Sequence, residues 1–190
     1  ELWDFSLVDP DNRRPVDYDR RRTLLAGIRS LSAAAGKDLA GQVRSLTDSL
    51  EDGRGKLYLT WRCLQLRRAR SALFDEGDYL PLRTTGERSA HLCAFARRRQ
   101  HELVVVLVPR LYARLLGDRE EPPLGRAVWG DTSIELPRRV SAQALENVLD
   151  GARIRLQERN GRRFAYAGDV LASFPVGLLA TPVSAEEVRP

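Results

Sequence analysis

The stretch KLYLTWRCLQLRRARSALFDEGDYLPLRT, residues 56–84, changes its rhythm partway along. Leu57, Trp61 and Leu64 lead to Arg68 in one helical row, and Leu59, Cys63 and Leu66 fill the next. This spacing predicts a helix over 56–72 with apolar side chains around most of its surface. Arg67, Arg68 and Arg70 at its end suit the negative pole of a helix dipole. After Phe74 the period shortens from near 3.6 to near 2, and Tyr79–Thr84 reads as a strand. A chain that is helical before this point and strand-forming after it is of the α+β class, with a boundary near residues 73–78.

Toward the N-terminus, Asp17 is placed to cap a helix reaching about Ser32, with Leu24, Ile28 and Leu31 on one stripe and Leu25 beside it. Gly36 ends that helix. Leu39, Val43, Leu46 and Leu50 predict a second over 39–50, broken by Asp52-Gly53 and Gly55. Toward the C-terminus, His91–Arg97, Leu103–Val108, Ser133–Leu136, Ile154–Gln157 and Val176–Leu179 read as short strands. Asn160-Gly161 is a hairpin signal between Ile154–Gln157 and Phe164–Tyr166. Residues 116–126, with Gly117, Pro122, Pro123 and Gly125, read as a mobile excursion. These elements predict two parts, helices over 1–74 and an antiparallel β-sandwich over 75–190.

Composition bounds what the chain does. A chain of 190 residues hides roughly 70% of its unfolded surface on folding. Its 43% hydrophobic and 30% charged residues are those of a soluble globular protein, and no apolar run approaches the ~20 residues that span a membrane. Cys63 and Cys93 supply no disulfide framework and no metal motif, so both are expected to be buried, reduced thiols of a cytoplasmic protein. The absence of Met is expected of a piece of a longer gene product. The net charge of +5 is carried almost wholly by Arg, with Lys37 and Lys56 the lysines. Arg20–Arg22, Arg67-Arg68 and Arg97–Arg99 are short runs without interleaved aromatics, which argues against a nucleic-acid surface. No metal site, cofactor site or membrane partner is expected.

Asp9-Pro10-Asp11-Asn12-Arg13 sets a carboxylate and a planar forked donor four residues apart beside a rigid proline. Such a pair suits the vicinal hydroxyls of a sugar, and it equally suits a solvated turn with an internal ion pair.

Glu1–Tyr18, which contains this motif, resembles the loop after the last barrel strand in the maltooligosyl trehalose synthase family of the α-amylase superfamily, glycoside hydrolase family 13. Asp52–Thr60, Gly77–Leu82, Val128–Thr132 and Phe174–Val176 resemble further segments of that family in the same order. The resemblance implies the last loop and helices of a (β/α)8 barrel followed by a C-terminal β-sandwich, with the loop facing the active site. It implies an isomerase acting on maltooligosaccharides, which turns the reducing-end α-1,4 linkage into an α,α-1,1 trehalose linkage by intramolecular transglucosylation. Retention of configuration asks for a carboxylate nucleophile about 5 Å from an acid/base carboxyl. By resemblance those groups lie outside this chain, so no catalytic residue is assigned and the chain alone is expected to be inactive. Asp9 and Arg13 match the sugar-binding pair of the superfamily. Trp3, Asp11 and Arg14 share the loop.

Other residues take structural readings first. His91 and His101 fall in a strand-rich region without metal spacing, Trp129 reads as a buried anchor, and Lys56 as a cation at a helix start. Residues 138–150 lack a Trp expected from the resemblance, which leaves the packing of that segment open. Two rivals remain: another transglycosylase of the α-amylase superfamily, and a noncatalytic module binding glucan or nucleic acid through its arginines.

Overall fold

The structure, a computed structural model, describes residues 16–34, 38–138 and 140–182. Helix α1 spans Tyr18–Ala34, and the Asp17 carboxylate accepts the Arg20 N–H at 2.8 Å, the predicted cap. Helix α2, Leu39–Ser45, is capped by Asp38, which accepts the Gly41 N–H at 3.1 Å. It stops short of residue 50. The Leu46 N–H turns back to the Val43 carbonyl, Thr47 Oγ1 donates to the Arg44 carbonyl at 2.6 Å, and Leu50 is left exposed.

Helix α3 covers Arg54–Ala69 and α4 covers Ser71–Glu76. A single helix to residue 72 was expected, but Arg70 leaves helical geometry at φ −127°, ψ 46°. Its guanidinium is drawn to the far end of the chain, where Nη1 donates to Thr181 Oγ1 at 3.0 Å and lies 4.0 Å from Glu102. The apolar surface of α3 is narrower than its spacing predicts. Leu57, Tyr58 and Leu66 are buried, whereas Leu64 is 60% exposed because only one side of the helix meets other elements.

The remaining elements are β1 (Asp78–Pro81), β2 (Thr84–Thr85), β3 (Leu92–Arg99), β4 (Glu102–Pro109), α5 (Tyr112–Leu116), α6 (Gly125–Trp129), β5 (Ser133–Glu135), β6 (Ala144–Asn147), β7 (Arg153–Arg155), β8 (Gln157–Arg159), β9 (Arg162–Tyr166), α7 (Ala167–Val170) and β10 (Gly177–Ala180). The strands form one sheet in the order β1-β3-β4-β10-β6-β7 and a second in the order β2-β5-β9-β8, with every pairing antiparallel. The fold is α+β.

Strand β4 shows how the layers are ordered. Its side chains alternate between faces. Leu103, Val105 and Leu107 join a buried cluster with Trp129, Ile134 and Ala165 of the smaller sheet and its helical insert. Val104 and Val106 join a second cluster with Ile28, Leu57, Tyr58 and Leu73 of the helices. The larger sheet is therefore the middle layer, with helices on one face and the smaller sheet on the other. Residues on both sides of position 74 share the second cluster.

Several expected strands divide. Tyr79–Thr84 becomes β1, paired with β3, and β2, paired with β5 in the other sheet. Ile154–Gln157 divides at Leu156 into β7 and β8, again in different sheets. The β8–β9 hairpin turns through Asn160 at φ 53° and Gly161 at φ 70°, the double left-handed geometry that Asn-Gly predicts. The excursion over 116–126 is tied at its far end. Trp129 Nε1–H donates to the Pro123 carbonyl at 2.8 Å and the Gly125 N–H to the Leu171 carbonyl at 2.9 Å. Cys63 is half-buried, but Cys93 is exposed on β3, against the expectation of two buried thiols, because it lies on the sheet face away from the inter-sheet core and outside the cluster that the helices cover on that face. Among the described residues no helix is long and apolar enough to cross a membrane.

Candidate functional site

The sugar-binding residues predicted from sequence, Trp3, Asp9, Asp11, Arg13 and Arg14, lie outside the described residues. At the nearby capped start of α1, Arg21 donates to the Asp17 carbonyl at 3.1 Å and Arg22 pairs with Asp19 at 2.5 Å. Of the other arginine runs, Arg97–Arg99 is engaged within the fold, with Arg97 donating to the Phe74 carbonyl at 2.6 Å, Arg98 to the Arg138 carbonyl at 3.3 Å and Arg99 to Glu76 at 3.1 Å, while Arg67 lies 3.6 Å from Asp75.

A polar seam joins α3 to the larger sheet. The Tyr58 hydroxyl donates to the Leu149 carbonyl, and Arg62 Nε donates to the Val148 carbonyl at 3.0 Å. Beside them Asp150 is buried and accepts the Ala152 N–H at 2.9 Å. Burial pushes the Asp150 carboxyl above the usual carboxylate range, against the opposing pull of the Ala152 N–H and Ser173. Burial likewise raises Tyr58, with Arg62 lowering it and Asp150 raising it further. Asn147 completes the seam from β6, donating to the Val170 carbonyl at 3.1 Å and accepting the Leu149 N–H at 3.2 Å.

The outer face of the smaller sheet is chemically different. Ile134 and Ala165 point inward to the core, so Ser133, Glu135, Phe164 and Tyr166 point out. Together with Arg83, Thr85, Gly86, Asp131, Arg159, Asn160 and Arg162 they border a cleft of about 510 Å³. The ladder sets Thr85, Ser133 and Tyr166 in one row and Glu135, Phe164 and Gln157 in the next. The two rings meet edge to face, with centroids 5.5 Å apart. Arg162 pairs with Glu135, Thr85 with Ser133 at 3.0 Å, and the Glu87 N–H donates to Asp131 at 3.0 Å. Sequence reasoning did not find this cleft. The signal was Arg162-x-Phe164-x-Tyr166, a basic and two aromatic side chains at strand spacing on one face.

Trp129 is fully buried between the sheets. His91 is half-buried, and its Nδ1 makes no hydrogen bond among the described residues. Lys56 stands in the first turn of α3. Among the described residues no three His, Cys, Asp or Glu side chains are grouped to hold a metal ion. The framework is thus a helix-backed pair of antiparallel sheets with an open cleft that is polar and aromatic.

No protein-family model matches the chain. Two curated relatives, each called a putative maltooligosyl trehalose synthase, from Mycobacterium tuberculosis strains CDC 1551 and H37Rv, are 33% identical over 134 residues. That alignment covers 69% of this chain and 14% of each relative, so the chain spans about one seventh of their length. A solved structure, a point mutant of maltooligosyltrehalose synthase from Arthrobacter ramosus, superposes with a TM-score of 0.63 at 29% identity. It covers 95% of this chain and 19% of that one. Sequence and fold thus point to the same group of relatives. The chain is a homologue of the C-terminal part of the maltooligosyl trehalose synthases.

Proposed function

We propose that the chain serves as the C-terminal part of a maltooligosyl trehalose synthase, an isomerase of the α-amylase type. Residues 1–74 form the last barrel loop and closing helices, and residues 75–190 a β-sandwich behind them. The observation that supports this reading is the fold match across 95% of the chain at 29% identity. The enzyme acts in the cytoplasm on maltooligosaccharides and converts the reducing-end α-1,4 linkage to α,α-1,1 by intramolecular transglucosylation.

In this reading the chain binds and positions rather than reacts. The Asp9 carboxylate accepts from vicinal sugar hydroxyls and the Arg13 guanidinium donates to them, fixing the glucosyl unit on the non-reducing side of the cleaved bond. Trp3, Asp11 and Arg14 complete the lip of the cleft. Holding the freed glucose so that its anomeric hydroxyl attacks before water does is a task of orientation and water exclusion, which a loop at the mouth of a barrel supports. The nucleophile and the acid/base are supplied by the rest of the enzyme.

The test replaces the matching segment of the Arthrobacter ramosus synthase with these residues and measures trehalosyl product from maltoheptaose. Activity is expected in the chimera and none in the isolated chain. Asp9→Ala and Arg13→Ala are each expected to lower kcat/KM by about a hundredfold. Full activity in both variants would refute the assignment of the pair.

A further inference from the structure

We propose that the cleft on the outer face of the smaller sheet is a glucan-binding surface. Its floor includes the rings of Phe164 and Tyr166, which stand on one strand and meet edge to face. Its walls mix carboxylates (Asp131, Glu135), guanidiniums (Arg83, Arg159, Arg162), an amide (Asn160) and hydroxyls (Thr85, Ser133).

The balance of charge narrows the ligand. Two acids face three arginines, and one acid and one arginine are already paired as Glu135 with Arg162. A polyanion would need a field of one sign, which this cleft lacks. A neutral pyranose asks for what is present. Its C–H face lies on aromatic surface, and each hydroxyl needs both donor and acceptor at the rim. The size agrees, since about 510 Å³ falls within the range of small-molecule clefts.

The hydrogen-bonding groups already used within the fold leave others open to a ligand. The Arg83 guanidinium, the Asn160 amide and the Tyr166 hydroxyl make no hydrogen bond among the described residues. The rings are partly covered. Arg126, held by Asp169 at 2.6 and 2.7 Å, lies 4.9 Å from the centroid of Tyr166, and Arg159 lies 5.5 Å from that of Phe164. Arg126 is fixed by two bonds. Arg159 has no ion pair among the described residues and is exposed, so it is the wall that swings aside and then donates to the sugar's edge. The choice of an α-glucan over other neutral oligosaccharides rests on the function proposed above.

The full 190-residue chain carrying Asp9→Ala and Arg13→Ala, which silences the loop, is titrated with maltoheptaose and with cellohexaose while backbone amide NMR shifts are followed. Saturable shifts are expected with maltoheptaose at Asn160, Phe164 and Tyr166. Phe164→Ala is expected to weaken binding about tenfold or more, and Phe164→Tyr to retain it. If Phe164→Ala perturbs the fold, Arg83→Ala reads the same surface through an exposed side chain and is expected to weaken binding severalfold. Saturation by cellohexaose alone overturns the α-glucan assignment and counts against the function it rests on. Saturation by neither sugar, or shifts confined to residues outside the smaller sheet, overturns the surface itself and leaves the chimera's activity to judge the loop.

Discussion

The Tyr58 hydroxyl, on α3, donates to the Leu149 carbonyl between β6 and β7, and one turn further along α3 Arg62 donates to the Val148 carbonyl. Two side chains of one helix thus satisfy two successive carbonyls of one loop, which ties the helical layer to the β6–β7 edge of the larger sheet. Tyr58→Phe keeps the ring in its cluster and leaves the Leu149 carbonyl unpaired. The expected loss is about 1–2 kcal/mol, read as a lower urea midpoint with an unchanged slope. An unchanged midpoint would mean the hydroxyl adds nothing beyond its ring.

Asp150 lies in the same seam and makes it sensitive to pH. Burial raises its carboxyl above the ordinary value of 3.8, so the folded chain holds this proton to higher pH than the unfolded chain does. Its contribution to stability is therefore fully present below that ordinary value and is lost as pH rises through the folded value. Asp150→Asn keeps an oxygen for the Ala152 N–H and removes the titration. Urea midpoints measured from about pH 4 upward should fall more steeply in the parent chain than in the variant. Parallel profiles would remove Asp150 as the titrating group.

How much of this was legible in the sequence depended on how local each cause is. Asp17 capping α1 and Asn160-Gly161 turning β8 into β9 are set within a few residues, and both were readable. The run Leu103–Val108 was readable as a strand because both of its faces are buried, between the helices and the smaller sheet. The break at Arg70 was not, since its partners Thr181 and Glu102 lie far along the chain. Nor was β6, whose Glu146 and Asn147 look like loop residues. Asn147 is buried there because it satisfies Val170 and Leu149. The outer cleft is assembled from β2, β5, β8 and β9, so only the alternation Arg162, Phe164, Tyr166 on one strand hinted at it.

The two thiols should separate by reactivity. Cys93 is exposed, whereas Cys63 is half-buried and burial pushes its thiol above the ordinary value. Only the thiolate reacts, so Cys63 is penalised in both access and ionisation. Labelling with a chromogenic disulfide under native conditions should show one fast thiol and one at least about tenfold slower. Cys93→Ser should delete the fast phase. Loss of the slow phase instead would exchange the two environments.

Gly161 isolates the cost of the hairpin backbone from that of packing. A Cβ built on it meets nothing within 4 Å, yet its φ is 70°, in the left-handed region. Gly161→Ala therefore has room for its methyl and loses only in conformation, about 1 kcal/mol. Gly161→Asn, which tolerates that region better, should cost less. The turn sets the pairing of Gln157 with Phe164 and Arg159 with Arg162, and through it the outward placing of the cleft's rings. Both variants should thus lower the thermal midpoint in the order Ala below Asn below Gly while leaving the near-ultraviolet aromatic signal of the folded state unchanged. An Ala variant as stable as the parent would show that this residue is free of the left-handed backbone, and a one-residue register slip would then be open to β9.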